Sequence, residues 1–230
     1  MKIGMVGGIG PESTVDYYRR IIRLYRETTG SDHYPEIEVN SINMTAMLKL
    51  VAEQDWDALT AMLLRAVDSL CRAGAGFAFI ASNTPHIVFE RVRQASPIPL
   101  VSIVEAARRE AERRALKKTG LLGTLFTMQS GYYQAEFDKS GIAIVVPDEP
   151  ERLYIQRKLF SEIEQGIFLD STREGLLRIV RRLIDDHAID GVVLGCTELP
   201  LILTRDEFGI PFLNTTEIHV RRILERYAAL

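Results

Sequence analysis

Cysteine is scarce in this chain. Its 230 residues include only Cys71 and Cys196, far apart, which excludes a disulfide scaffold and a cysteine-rich metal site. Neither sign of charge dominates. Lys plus Arg total 28 against 31 Asp plus Glu, for a net charge of −3, and the pI is 5.9. That balance excludes an extended basic surface for nucleic acid. The arginine-rich stretch EAARREAERRALKK alternates Glu with Arg at helical spacing and reads as a solvated helix face. No apolar run approaches the roughly 18 residues a membrane helix needs. The N-terminus enters an apolar strand directly, with no charged n-region or cleavage site, so a cytoplasmic protein without a membrane partner is expected. No histidine pair has metal-ligand spacing with a third ligand nearby, and no metal site is expected. After the first strand, Gly8 and Gly10 begin a G-x-G-x-x-G pattern, but Ser13 stands where its third glycine belongs. A dinucleotide site is not indicated, and no cofactor is expected.

What is present is a repeat. Residues 77–105 read FAFIASNTPHIVFERVRQASPIPLVSIVE, and residues 191–217 read GVVLGCTELPLILTRDEFGIPFLNTTE. Each is an apolar run that stops on a small nucleophile, Ser82 or Cys196. Polar residues follow, then a loop, an Ile-Pro, a second apolar run and a glutamate, Glu105 or Glu217. The separation between Gly4 and Gly120 nearly equals that between Ser82 and Cys196, so the repeat spans several elements.

Strand and helix patterns alternate along the chain. Strands are expected at 2–6, 37–42, 77–81, 100–103, 119–123, 142–146, 191–195 and 211–213. Helices are expected at 13–28 with Ser13 as cap, and at 56–73, 86–94, 104–117, 128–139, 152–165 and 172–188. The alternation predicts an α/β fold of two pseudo-symmetric doubly wound domains, each a four-stranded parallel sheet flanked by helices. The first half is expected over residues 1–100 plus 210–230 and carries Ser82. The second is expected over 101–209 and carries Cys196. Ligands of such sheets sit at the carboxyl ends of strands, so the active site is expected in the cleft between the halves.

The motifs Ser82-Asn83-Thr84-Pro85-His86 and Gly195-Cys196-Thr197-Glu198, with the opening MVGGIGPEST and Asn-Thr-Thr-Glu-Ile-His at 214–219, cover essentially the whole chain. On these residues the chain resembles the aspartate/glutamate racemase superfamily, whose members also include hydantoin racemases, arylmalonate decarboxylases and maleate isomerases. The resemblance implies a racemase of the aspartate/glutamate type that needs no pyridoxal phosphate. A thiolate at Cys196 would take the α-proton from one face, and Ser82 would stand at the other. The backbone and side chains of Asn83, Thr84 and Thr197 would hold the α-carboxylate of a small amino or carboxylic acid, with the loop at Gly8 close by. Glu198, His86, His219 and Lys49 complete the candidate set, and a homodimer is implied. A strand-end setting is expected to lower the Cys196 pKa.

Each residue also has a plainer role open to it. Cys196 could be a buried small hydrophobe, Ser82 a turn residue and His86 a helix-start residue. Cys71 reads as core, Tyr132 as lining the cleft or a partner surface, and His33 and His187 as loop or surface.

Two departures from the family pattern bear on function. Symmetrical racemases carry cysteine at both nucleophile positions. A Ser82/Cys196 pair should instead be directional, because a hydroxyl is a poor base. Acid-specific relatives also place a basic residue in the loop after the second strand and another in the helix after the sixth. Here the first region, NMTAMLKL, offers only Lys49, and the second, LFSEIEQG, has Glu164 where a lysine is expected. The alternatives to a racemase are a single-thiol decarboxylase or isomerase and a binding protein without catalysis.

Overall fold

The computed structural model describes residues 1–229. They form two compact units, residues 1–103 with the chain from His219 onward, and residues 104–218. In the first, β1 (Lys2–Gly7) leads into α1 (Pro11–Thr29), β2 (Ile37–Ser41), α2 (Met44–Ala52) and α3 (Trp56–Arg72). Then come β3 (Ala75–Ile80), a 3-10 turn (Thr84–Val88), α4 (Phe89–Ala95) and β4 (Leu100–Val101). All strands are parallel, in the order β2-β1-β3-β4. The central strands are almost wholly buried. That is why they read as unbroken apolar runs rather than alternating ones. Ile3, Met5, Phe77 and Phe79 pack with Tyr17 and Ile21 of α1 and with Val220 and Ile223.

The second unit repeats this plan. It contains α5 (Ile103–Arg113), which begins one residue before the unit boundary, then β5 (Lys118–Leu122), α6 (Leu125–Gln129), α7 (Tyr132–Phe137) and β6 (Ala143–Val145). There follow α8 (Glu149–Ser161), a 3-10 turn (Ile163–Gln165), α9 (Asp170–His187), β7 (Gly191–Leu194), α10 (Leu199–Ile202) and β8 (Phe212–Asn214). Its sheet is parallel in the order β6-β5-β7-β8. The last helix, α11 (Thr215–Ala228), starts in this unit and supplies its residues from His219 onward to the first. No helix among the described residues is long and apolar enough to cross a membrane.

Several local expectations are corrected. Residues 210–230 were expected with the first half, yet β8 pairs with β7, and the chain rejoins the first unit only at His219. Residues 44–52, expected as loop, form α2, capped by the Asn43 side chain accepting from the Ala46 N–H at 2.9 Å. Helix α1 starts at Pro11 after Gly10, and Ser13 does not cap it. Proline suits that first position because its missing N–H would have no helical partner there. The expected helix at 128–139 divides into α6 and α7 at Gly131, which adopts φ +76°. Cys71 is half-buried rather than core. It lies one residue, about 100° of rotation, beyond Leu70, the last residue of the buried stripe of α3.

Candidate active site

In each sheet the chain leaves the first central strand toward one edge and returns to the other side of it. The switch therefore falls between β1 and β3 in one unit and between β5 and β7 in the other. The carboxyl ends at such a point are where open α/β sheets bind ligands. Gly8 and Ser82 follow β1 and β3, and Cys196 follows β7.

At the first unit's strand ends, Gly8 takes φ +83°, and a Cβ there would come 2.2 Å from the Ile42 carbonyl oxygen. Only glycine allows the turn to pass that close. Its N–H donates to Thr14 Oγ1 at 2.8 Å, which holds the loop against the start of α1. The Ser13 hydroxyl donates to the Ala81 carbonyl at 3.0 Å, fixing the residue just before Ser82. Ser82 and Thr84 are half-buried, while Asn83 and His86 are buried.

Behind Ser82 lies a histidine pair that the sequence shows only as separate candidates. His219 Nε2 meets the Val101 carbonyl at 3.1 Å and must donate to it, because a carbonyl only accepts. Its Nδ1 then accepts from the Tyr17 hydroxyl at 2.9 Å. His86 Nε2 accepts from the Ile103 N–H at 3.3 Å, so its proton is on Nδ1. Burial lowers both pKa values to about 3, and for His86 the neighbouring His219 adds to the effect. Both rings are therefore neutral at physiological pH. They serve as hydrogen-bonding scaffold for β4 and the strand end rather than as proton carriers.

The second unit's strand end is different in kind. Gly195 lies so close to β5 and α6 that a Cβ would come 2.8 Å from Leu121 Cδ1 and 3.1 Å from the Leu122 carbonyl oxygen. Cys196 follows, 7% exposed, and its Sγ donates to Glu198 Oε2 at 2.9 Å. The Thr197 hydroxyl donates to the same oxygen at 2.7 Å. The Tyr132 hydroxyl donates to Thr127 Oγ1 at 3.3 Å, and Thr127 in turn contacts Thr124 Oγ1 at 3.0 Å. Burial raises the Tyr132 pKa, with Cys196 contributing.

Glu164, in the 3-10 turn after α8, completes the group. One ligand atom from each of Glu164, Cys196 and Glu198 lies within 4.8 Å of the others. A thiol and two carboxylates at that separation could hold a divalent ion, an ability the expectation of no metal site does not foresee. Although Glu164 is exposed as a residue, burial around its carboxyl and the charge of Glu198 raise its pKa to about 7.

These surroundings reverse one expectation. The Cys196 pKa is pushed well above that of an ordinary thiol, first by burial, then by Glu198, with Glu164 adding to it. The strand-end dipoles do not outweigh desolvation and two carboxylates. The resting group is a thiol.

The other candidates are more widely spread. Lys49 is exposed on α2 and faces Glu53 at 3.8 Å. Glu164 enters the sequence reading only as a departure from the family pattern, and Tyr132 only as an apolar lining residue. Both belong to the Cys196 environment.

Two parallel four-stranded units, each with a small nucleophile or its counterpart after the third strand, describe a class. The sequence pattern of the Asp/Glu/Hydantoin racemase family matches residues 6–223, and the chain belongs to that family. It is 26% identical to the broad specificity amino-acid racemase RacX of Bacillus subtilis (strain 168), over 99% of this chain and 98% of that protein. Among solved structures it is similar to an aspartate racemase homologue from Pyrococcus horikoshii OT3, with 34% identity, a TM-score of 0.87 and 99% of both chains covered. A candidate Asp/Glu racemase from Yersinia pestis superposes with a TM-score of 0.90 at 30% identity, covering 100% of this chain and 99% of that one.

Proposed function

We propose that the protein is a cofactor-independent amino-acid racemase of the aspartate/glutamate type, in which Cys196 exchanges the α-proton and Ser82 serves the opposite face. The observation that carries this reading is the buried Cys196 thiol donating to the Glu198 carboxylate at the end of β7. A thiol is not a base, so catalysis begins when its proton passes to Glu198. The resulting thiolate takes the proton from Cα, and the electron pair left behind spreads into the substrate carboxylate. Hydrogen-bond donors around that carboxylate stabilise the developing charge. Asn83, Thr84 and Thr197 are the residues proposed to supply them. Protonation of the opposite face gives the other enantiomer. Ser82, or water held by it, delivers that proton.

Because a serine hydroxyl is a poor base, solvent exchange at Cα without inversion should run faster from the enantiomer whose α-proton faces Cys196, while kcat/KM for conversion stays equal in both directions, as an equilibrium constant of one requires. A chiral assay of every amino acid as both enantiomers, with Cys196→Ala as control, tests the activity. Exchange at Cα in deuterated buffer tests the direction, and equal exchange from both enantiomers would overturn the directional scheme.

The protonated resting state of Cys196 favours a second reading. A group held as thiol is suited to deliver a proton to a carbanion, as a single-thiol decarboxylase requires. Turnover of a malonate-type acid, with none of any amino acid, would select it.

A further inference from the structure

The carboxylates beside Cys196 have no cation, unlike several other acidic groups of the second unit. Glu162, two residues before Glu164, is taken by Lys158 and by the Thr172 hydroxyl, which lower its pKa. Glu151 pairs with Arg182, and Glu207 with Arg173 and Arg205. Among the described residues, no lysine or arginine forms an ion pair with Glu164 or Glu198. Glu198 is already engaged by the Cys196 thiol and the Thr197 hydroxyl. Glu164 has no such donor. Its carboxyl lies within 4.8 Å of the Cys196 thiol and of a Glu198 carboxylate oxygen, and a cation placed there would offset the repulsion between the two carboxylates.

The substrate is the charged species that enters this space. Its α-ammonium can satisfy one carboxylate, which leaves the other for a second positive group. An acidic side chain would bring a third negative charge toward Glu164, an arrangement that costs free energy without a compensating cation.

We propose that Glu164 is a specificity-determining residue that selects amino acids with a cationic side chain, such as lysine, ornithine or arginine, over aspartate and glutamate. This inference rests on the racemase reading and adds the substrate class to it. Glu164 binds the distal ammonium or guanidinium and takes no part in the proton transfer at Cα.

The test compares initial racemisation rates for lysine, ornithine and arginine with those for aspartate, glutamate and alanine. The expected result is a kcat/KM for the basic substrates about tenfold or more above that for the acidic ones, since a tenfold ratio needs only about 1.4 kcal/mol. The KM for lysine, unlike that for alanine, should rise with salt. Glu164→Gln should lower the lysine-to-alanine ratio about tenfold, mainly through KM, and Glu164→Lys should move the preference toward aspartate. Racemisation of acidic or neutral amino acids with no preference for basic ones would overturn the inference and leave the racemase reading standing. No turnover or Cα exchange with any amino acid would overturn both.

Discussion

The two strand ends that carry Ser82 and Cys196 share a fold position and differ in electrostatics. Behind Ser82 the polar groups are neutral: two buried histidines, a tyrosine and a serine that hydrogen-bond within the unit. Around Cys196 they are acidic, and the thiol is held protonated by burial and by two carboxylates. The same backbone frame thus presents an uncharged hydroxyl in one unit and a charge-sensitive thiol in the other. A repeated fold does not impose repeated chemistry, because the loops at the strand ends vary while the buried strands must keep packing.

The comparison breaks most sharply at Cys196. Cys196→Ala should lower turnover by at least about 10²–10⁴-fold, the range expected for a positioned proton-transfer group. A variant that keeps most of its activity in the chiral assay would remove the thiol from the mechanism. Ser82→Cys should make the two ends more alike. Exchange at Cα would then approach equality from both enantiomers, whereas Ser82→Ala should lower interconversion in both directions and spare exchange at the Cys196 face. If Ser82→Cys leaves the asymmetry unchanged, the difference between the ends lies elsewhere.

The pH dependence separates the two ends again. Racemisation that starts by deprotonating Cys196 should accelerate as pH rises above neutral, because the thiol pKa is raised. A thiol that only donates a proton should slow over the same range. The first end should show itself in stability. His86 and His219 titrate near 6.5 when unfolded and near 3 when folded, so the unfolded chain binds more protons between those values. Their contribution is complete above pH 6.5 and declines as pH falls toward 3. Replacing His219 with Asn should flatten that part of the stability profile measured by denaturant unfolding. The smallest effect belongs to Lys49→Ala. Its exposed ion pair with Glu53 makes a change in stability within about 0.5 kcal/mol the expected result. A large rise in KM instead would return Lys49 to the substrate site.

Much of the frame was legible. Buried parallel strands such as β3 and β7 must be continuous apolar runs, and the residues that end them stand out against that pattern. Helix α2 was not legible, because its cap and its two buried residues, Met47 and Val51, give little periodicity over nine positions. The placement of β8 was missed because a three-residue strand carries no mark of which sheet it joins. Tyr132 and Glu164 were hidden for a similar reason. Their distance in sequence from Cys196 says nothing of their proximity to it, and only the turns after β5 and α8 bring them there.

The sequence by itself determined the α/β class, the repeat and the two residues at equivalent strand ends. Those follow from local periodicity and from the rule that chemistry collects where parallel strands stop. Only the tertiary structure decided the protonation states. It buried His86 and His219 as neutral scaffold, and it gathered two carboxylates around a desolvated thiol expected to be acidic. A pKa depends on every charge and dipole within a few ångströms, and most of those neighbours are remote in the chain.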